Sequence, residues 1–366
     1  MPYAPKAARI YHKQSHRELP RKGEKIYAPA IMTAPEMPAS AAVPWLIALV
    51  VAVTSGQSAG GLLAQRPAAD RGALETIQIR PNVYVIFGAG GNIAVHVGED
   101  GVILVDSGSA GMADTVLAAV NAIARQPVRM IIDTSADVDH VGGNDTVSRG
   151  GVPISPDSFA DEPRATVLSH ENVLTRMSAR NGNESLFPVD MWPTETFTSK
   201  LRSMYINDDA IQVIRQVGAH SDGDSMVHFR RADVIVTGDV LDLRHFPDIN
   251  PARGGSIQGE LEALNRLLDL VVPAMPLVLK PGRTLVVPGH GRVSDYGEIV
   301  EYRDMVTVIR DVIQDMIARG MTLEQVKAAN PTAGYRRRYG ADTGPWTTDM
   351  FVEAIYNGLK ARGGKS

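Results

Sequence analysis

The chain changes character abruptly after the strand-like run Val128–Ile132, which is followed by acids, a histidine and a Gly-Gly turn. This change predicts a buried strand whose carboxyl end carries polar side chains into a loop, a usual position for a functional site on a layered α/β scaffold. Three carboxylates and one imidazole fall within eight residues, at Asp133, Asp137, Asp139 and His140. Because crowded carboxylates repel one another unless a cation lies among them, the loop predicts a metal site.

The composition narrows the possible ligands and partners. The 366 residues include no cysteine, which excludes disulfides, thiolate nucleophiles and zinc sites built on sulfur, so any metal has to be held by His, Asp or Glu. The formal net charge is −4 and no basic stripe is present, which argues against nucleic acid as a partner and leaves a small molecule as the expected substrate. The length allows one large domain or two modest ones, and the oligomeric state stays open.

The N-terminal region differs from the rest of the chain. Residues 1–25 are polar and basic, and the apolar run Ala41–Val53 is followed by small residues. This run is too short for a comfortable membrane span of roughly 20 residues but is typical of a signal-peptide core. We therefore predict a basic, signal-like region at 1–60, a linker at 61–74, export to the periplasm or the medium, and no stable membrane span in the mature protein. The alternative is a buried or disordered tail on a cytoplasmic protein.

From Glu75 onward the pattern indicates two similar halves. Each half runs from short β-rich segments separated by turns to a helix and a further strand. This order predicts a sheet-on-sheet core with helices outside. The glycine-rich turn Gly88–Gly91 is not expected to bind a nucleotide, because another strand follows it where a dinucleotide fingerprint requires a helix.

Two later segments carry weaker or different patterns. The segment Asn181–Lys200, with two prolines and Trp192, is expected to be an irregular surface loop. Residues 301–366 are expected to be mainly helical, because Tyr302–Arg319 carries apolar residues at helical spacing and Thr322–Gln325 forms a capping box. We assign 301–366 to a helical extension that packs on the same domain.

Four polar motifs occur at predicted strand ends or in tight glycine-containing loops. In chain order they are Asp137-Val138-Asp139-His140, Gly218-Ala219-His220-Ser221-Asp222-Gly223-Asp224, Thr237-Gly238-Asp239 and Pro288-Gly289-His290-Gly291. Polar loops at the same end of four strands can converge on one point. The candidate metal-binding residues are therefore Asp137, Asp139, His140, His220, Asp239 and His290.

These ordered motifs, with Asp-His-Val-Gly-Gly-Asn at 139–144 after a β-branched strand, resemble those of the metallo-β-lactamase superfamily of metal-dependent hydrolases. The resemblance extends over roughly residues 75–300, and the ordered set is far more specific than any single motif. It implies an αββα sandwich of two mixed sheets at 75–300, with the site at one edge between the sheets. We therefore predict an α/β (α+β) metallo-β-lactamase fold with the C-terminal helical extension.

The resemblance also implies roles for the candidate residues, carried over by position. Asp139, His140 and His290 match the ligands of one metal. His220 matches a ligand of a neighbouring metal, and Asp239 matches the carboxylate that bridges the two.

The chain departs from the superfamily at its first motif. Where the superfamily has His-x-His-x-Asp-His, this chain has Ser135-x-Asp137-x-Asp139-His140. Serine is a poor zinc ligand and is expected to be a small polar filler, and Asp137 has a reach about 2 Å shorter than that of histidine. We therefore expect a mononuclear or asymmetric site that holds one Zn²⁺, with iron or manganese as alternatives because the ligand set is rich in oxygen.

The predicted activity is hydrolysis of an ester, lactone, thioester or β-lactam bond by a metal-activated water. Asp139 or Asp137 is expected to orient that water or to accept its proton. Arg244 lies near the position where β-lactam-opening relatives place a basic group, but Asp242 replaces the expected lysine. Asp106 is expected either to support the site or to be a turn residue. Two alternatives remain open: a metal- or ligand-binding protein with weak or no catalysis, and an iron-dependent oxygenase on the same fold.

Overall fold

The computed structural model describes residues 74–155, 163–182, 184–274 and 282–363. The predicted basic and signal-like region at 1–60 lies outside these residues, as does nearly all of the predicted linker. The predicted domain boundaries therefore stay predictions. Within the described ranges, no helix combines the length and the apolar character that crossing a membrane requires.

The described residues form fourteen strands and nine α-helices. The strands are β1 (Glu75–Arg80), β2 (Val83–Phe87), β3 (Ile93–Gly98), β4 (Gly101–Val105), β5 (Val128–Ile132), β6 (Thr166–His170), β7 (Arg180–Asn181), β8 (Glu184–Ser185), β9 (Glu195–Phe197), β10 (Leu201–Ile206), β11 (Asp209–Arg215), β12 (Ser225–Phe229), β13 (Val234–Val236) and β14 (Leu285–Val287). The helices are α1 (Ala113–Ile123), α2 (Val138–Val141), α3 (Asn144–Arg149), α4 (Glu171–Met177), α5 (Ile257–Leu270), α6 (Tyr296–Ala318), α7 (Leu323–Ala329), α8 (Arg336–Tyr339) and α9 (Thr348–Gly363).

Two mixed sheets form the centre of the described structure. The first has the strand order β1-β2-β3-β4-β5-β6-β9, antiparallel from β1 to β4 and parallel from β4 to β9. The second has the order β10-β11-β12-β13-β14 and is antiparallel except for the parallel pair β13–β14. β7 and β8 form a separate two-stranded ribbon.

The sheets pack face to face because their strands send apolar side chains to both faces. In β4, Ile103 and Val105 belong to the core between the two sheets, together with Val213 and Val227 of the second sheet. The alternate β4 residues, including Leu104, pack on the opposite face beneath α1. A strand that is covered on both faces has no solvent side, which explains why β4 is apolar along nearly its whole length.

Helices cover the outer face of each sheet. Val116 and Val120 of α1 pack on the first sheet. On the second sheet, α5, α6 and α9 share one apolar cluster with strand residues such as Ile235. Most of the predicted apolar stripe of α6 is buried in this cluster, including Met305, Ile309 and Ile313. The predicted αββα sandwich with C-terminal helices is therefore confirmed.

Two predicted segments differ from the structure. Residues 181–200 are not wholly irregular, because β9 pairs in parallel with β6 and the N–H of Thr194 donates to the carbonyl of Val167 over 2.8 Å. A three-residue edge strand is too short to show a period of two in the sequence. Helix α6 begins at Tyr296, earlier than predicted, because the side chain of Asp295 accepts a hydrogen bond from an N–H of the first turn.

One carboxyl group is buried beneath the helices. Glu260 on α5 is fully buried, and within the described part of the chain neither carboxylate oxygen has a hydrogen-bond partner. Burial, together with the negative charge of Asp224, raises the pKa of Glu260 well above its ordinary value. The folded state therefore holds this proton more tightly than the unfolded chain does. It follows that Glu260 costs more stability as the pH rises above the unfolded pKa of about 4.3.

We expect Glu260→Met to raise the free energy of unfolding by about 1–3 kcal/mol at neutral pH, because an unpartnered carboxyl group is removed from the core. The gain should shrink as the pH falls towards about 4.3. The control is Glu262→Met on the exposed face of the same helix, which should change the free energy of unfolding by less than about 0.5 kcal/mol. Urea denaturation of the three proteins across the acidic and neutral range measures the effect, and a gain that does not depend on pH would contradict it.

Candidate metal centre

The candidate residues lie on loops at one edge of the sandwich. β4 and β5 are parallel, β13 and β14 are parallel, and β11 runs in the same direction as β13 because both are antiparallel to β12. In the first sheet, the carboxyl ends of β4 and β5 therefore lie at the same edge. In the second sheet, the same holds for β11, β13 and β14. The first polar motif is not a plain loop, since Asp139 and His140 lie on the single-turn helix α2.

The six predicted ligands form two groups of three. Within each group, the ligand atoms lie within 4.8 Å of one another. The groups are Asp139 with His140 and His290, here the His140 group, and Asp137 with His220 and Asp239, here the His220 group. Asp239 also joins the two groups, because its Oδ1 lies 3.1 Å from Nε2 of His140 and 3.4 Å from Nε2 of His290. Burial opposes ionisation of Asp239, yet the charge and the hydrogen bond of His140 outweigh it and lower the pKa of Asp239 far below its ordinary value.

The imidazole of His140 is oriented by Asp106. Nδ1 of His140 donates to Oδ2 of Asp106 over 2.7 Å, and the hydroxyl of Thr134 donates to the same oxygen over 2.8 Å. Asp106 has a φ of 64°, in the left-handed region that a non-glycine residue adopts only when its surroundings hold it there. The residue is therefore both a turn residue and a support of the site. With Nδ1 engaged, Nε2 is the nitrogen that faces the cluster.

The imidazole of His220 is oriented by the backbone. Its Nδ1 donates to the carbonyl of Asp248 over 2.6 Å, and its Nε2 lies 2.8 Å from Oδ2 of Asp137. The other oxygen of Asp137 forms an ion pair with the guanidinium of Arg253. Burial opposes ionisation of Asp137, but the hydrogen bond and charge of His220 outweigh it and lower the pKa of Asp137 to about 2.

Ser135 is a structural residue in this arrangement. It is buried, and its hydroxyl accepts a hydrogen bond from the backbone N–H of Asp137 over 3.2 Å. The hydroxyl thus stabilises the turn that leads into α2, as expected for a small polar filler.

His290 differs from the other two imidazoles. Its Nδ1 lies 2.5 Å from Nη2 of Arg244, and a guanidinium only donates, so Nδ1 accepts. Nε2 then carries the proton and faces Oδ2 of Asp139 at 3.2 Å. For Nε2 of His290 to bind a metal, Arg244 has to turn away. This movement costs little because the Arg244 side chain is exposed.

The glycine-rich turn before β3 connects two of these loops. The N–H of Gly91 donates to the carbonyl of Asp139 over 3.0 Å. The side-chain amide of Asn92 donates to the carbonyls of Pro288 and Gly291 over 2.8 and 2.9 Å. The turn therefore fixes the distance between α2 and the loop of His290. As expected, a strand follows it.

A pocket of about 450 Å³ opens onto both groups. Five of the six candidate ligands line it, and the sixth, His140, is fully buried. One wall carries Arg244 and His245, and the C-terminal loop 341–346 supplies Pro345 and Trp346. Val138 of α2 is 66% exposed and also lines the pocket. Besides the ligand carboxylates, the pocket therefore combines Asp242 and Asp248 with the positive charge of Arg244 and with apolar surface.

Sequence reasoning missed four residues of this site: Asp248, Arg253, Asn92 and Trp346. Arg253 reaches Asp137 over 116 residues of chain, so no local pattern could reveal the pair. Trp346 carried the only available signal, as a tryptophan in a segment rich in glycine and proline, where a large apolar side chain has little reason to occur unless it packs on something.

The donor atoms of the His140 group fit a single divalent ion. Two ligand atoms each about 2.1 Å from a tetrahedral ion lie about 3.4 Å apart. With Oδ1 of Asp239 added to the group, the separations from Asp239 to His140, from Asp239 to His290 and from Asp139 to His290 are 3.1, 3.4 and 3.2 Å. The first of these contacts is a hydrogen bond when no ion lies between the two atoms. Imidazole and carboxylate donors together suit zinc, iron or manganese. In the His220 group, the separation of 2.8 Å between His220 and Asp137 is that of a direct hydrogen bond.

No family model and no curated protein matches the chain. Among solved structures, it is similar to a metallo-beta-lactamase from Pontibacter korlensis, with a TM-score of 0.50, 19% sequence identity, and coverage of 64% of this chain and 99% of that chain. It is also similar to the stereoselective inverting sec-alkylsulfatase Pisa1 from Pseudomonas sp., with a TM-score of 0.54 and 14% identity over 78% of this chain. A double mutant of that sulfatase gives a TM-score of 0.55 at 14% identity. The matches span 50% of each sulfatase chain.

The chain has two packed mixed sheets and helices that cover their outer faces. Together with these structural similarities, this architecture shows that the chain has the metallo-β-lactamase fold.

Proposed function

We propose that the protein is a metal-dependent hydrolase of a small anionic substrate. The observation that carries this proposal is the spacing among the His140 group and Asp239, where nitrogen and carboxylate oxygen atoms lie 3.1–3.4 Å apart around one point at the base of a pocket. Asp139, His140, His290 and Asp239 would hold one ion, with zinc as the first expectation and iron or manganese as alternatives. When bound, such an ion lowers the pKa of water towards about 7 and so supplies a nucleophile at neutral pH.

The side chains of the site have separate tasks in this proposal. Asp106 keeps the proton of His140 on Nδ1, so that Nε2 presents a lone pair. Asp139 is 31% exposed and is ionised at neutral pH, because the hydrogen bond from His290 lowers its pKa despite partial burial. It is therefore suited to orient a water molecule in the pocket and to accept its proton. Asp137 is less suited to that role, since both of its oxygens are engaged.

The pocket supports an anionic substrate with an apolar part. Arg244 supplies a positive charge on one wall and becomes free for a substrate when it leaves His290, whereas His245 is paired with Asp242. Trp346 and Val138 supply apolar surface. The similar structures are a metallo-beta-lactamase and a sec-alkylsulfatase, so carboxylate-bearing β-lactams, lactones and thioesters, and alkyl sulfate esters, are the substrates to examine first. Export to the periplasm or the medium stays a prediction.

The proposal predicts that purified protein hydrolyses at least one member of a panel of esters, lactones, thioesters, β-lactams and alkyl sulfates. A chelator should abolish this turnover, and one of Zn²⁺, Mn²⁺ or Fe²⁺ should restore it. Metal analysis of the protein as purified identifies the ion. Turnover that survives complete metal removal would contradict the proposal. Oxygen consumption by an iron-loaded protein would instead favour the oxygenase, and bound metal without turnover of any substrate would favour a binding protein.

A further inference from the structure

A positively charged side chain of the protein, Arg253, lies beside the His220 group. The guanidinium of Arg253 pairs with Oδ1 of Asp137, whose Oδ2 lies 2.8 Å from Nε2 of His220. Both carboxylate oxygens of Asp137 are thus engaged by positively charged or hydrogen-bond-donating groups. A metal ion bound by the His220 group would have to replace the direct contact between His220 and Asp137 and would lie beside the permanent positive charge of Arg253.

The loop that carries Arg253 is held in place on the His220 loop. The N–H of Asn250 donates to the carbonyl of His220 over 3.0 Å, and the N–H of Asp222 donates to the carbonyl of Arg253 over 2.8 Å. Gly255 packs so closely that any added Cβ would overlap the carbonyl of His220. Arg253 therefore approaches Asp137 from a rigid backbone, as a built part of the site would.

The sequence around Asp137 complements this cation. Ser135 and Asp137 occupy the two positions where relatives of this fold have imidazoles, as the motif comparison indicated. The hydroxyl of Ser135 is used by the backbone of the turn, which leaves Asp137 as the only acidic partner at these two positions. A carboxylate in place of an imidazole is the change that a neighbouring guanidinium requires, because arginine pairs with carboxylates and repels a metal ion.

We propose that the guanidinium of Arg253 takes the place of a second metal ion, so that the chain binds one divalent ion in the His140 group and none in the His220 group. This inference rests on the proposed metal site at the His140 group. Arg253 does not line the described pocket and acts through Asp137. It is therefore a positioning residue, which supplies the positive charge that keeps Asp137 and His220 in place.

The test is the number of zinc ions per chain after dialysis against micromolar free Zn²⁺, measured by elemental analysis on the full-length protein. Wild-type protein and Arg253→Lys, which keeps the charge, should bind about one ion per chain. Arg253→Leu, which removes the charge and keeps the apolar stem, should bind about two. The matched control is Arg202→Leu, because the guanidinium of Arg202 pairs with Glu195 rather than with Asp137, and this variant should also bind about one ion.

Folding is checked by thermal unfolding of every variant with and without zinc, and Arg253→Gln replaces Arg253→Leu should the latter not fold. Two ions on the wild-type chain, or one ion on the charge-free variant, would overturn the proposal. One ion on wild-type protein with one on the charge-free variant leaves the proposed hydrolase intact and removes only this inference. No zinc on the wild-type chain would remove both.

Discussion

Asp239→Asn is expected to weaken zinc binding at least about a hundredfold and to abolish hydrolysis. Zinc sites with four protein ligands bind with about 10–16 kcal/mol, so one ligand contributes about 3 kcal/mol, which corresponds to about two decades in affinity. Asp239 should contribute at least this much, because its Oδ1 lies near both imidazoles, 3.1 Å from Nε2 of His140 and 3.4 Å from Nε2 of His290. An asparagine keeps the shape of the side chain and removes its charge, so the loss reports on coordination. Competition with a chromophoric zinc chelator measures the affinity.

The matched control for this variant is Asp242→Asn. Asp242 lies on the same loop, three residues further along the chain, and pairs with Nδ1 of His245 over 2.9 Å outside both metal-binding groups. The same change of one charge should therefore alter the zinc affinity less than about threefold. Equal losses in both variants would mean that general electrostatics, rather than coordination by Asp239, determines metal binding.

Much of the fold could be predicted because its signals are local. A strand such as β4 is covered on both faces and is therefore apolar throughout, and the buried stripe of α6 repeats at helical spacing. The capping box at Thr322 and Gln325 has the hydrogen bonds that its sequence predicts. β9 was missed because its pairing with β6 is a tertiary contact of three residues.

The convergence of the six candidate ligands could be predicted for a different reason, since they lie in four motifs at the ends of strands. The residues that surround these ligands could not be predicted. The role of Asp106 depends on a φ of 64° and on an imidazole 34 residues away. Arg253 and Trp346 reach the site from loops whose sequences contain no motif of their own. Long-range contacts of this kind are set by how the layers pack, which a single sequence does not display.

The close packing of α5 on the His220 loop leads to a prediction about the stability of the whole fold. Gly259→Ala is expected to lower the free energy of unfolding by about 3 kcal/mol, although alanine is intrinsically better than glycine in a helix by about 1 kcal/mol. An added Cβ at position 259 would overlap the backbone carbonyl of Gly218 and lie 2.7 Å from that of Val217. Backbone atoms cannot move aside as a flexible side chain can, so either α5 or the His220 loop has to shift.

Gly358→Ala provides the matched control, because it makes the same substitution in another helix. Among the described residues, nothing outside the helix's own neighbouring turns lies within 4 Å of an added Cβ at Gly358 on α9. There the helix preference acts without a clash, so the free energy of unfolding should rise by about 0.5–1 kcal/mol. Urea denaturation followed by tryptophan fluorescence compares the two variants with wild-type protein. Opposite signs are the expected outcome, and a Gly259→Ala protein as stable as wild type would mean that α5 does not rest directly on the loop that positions His220.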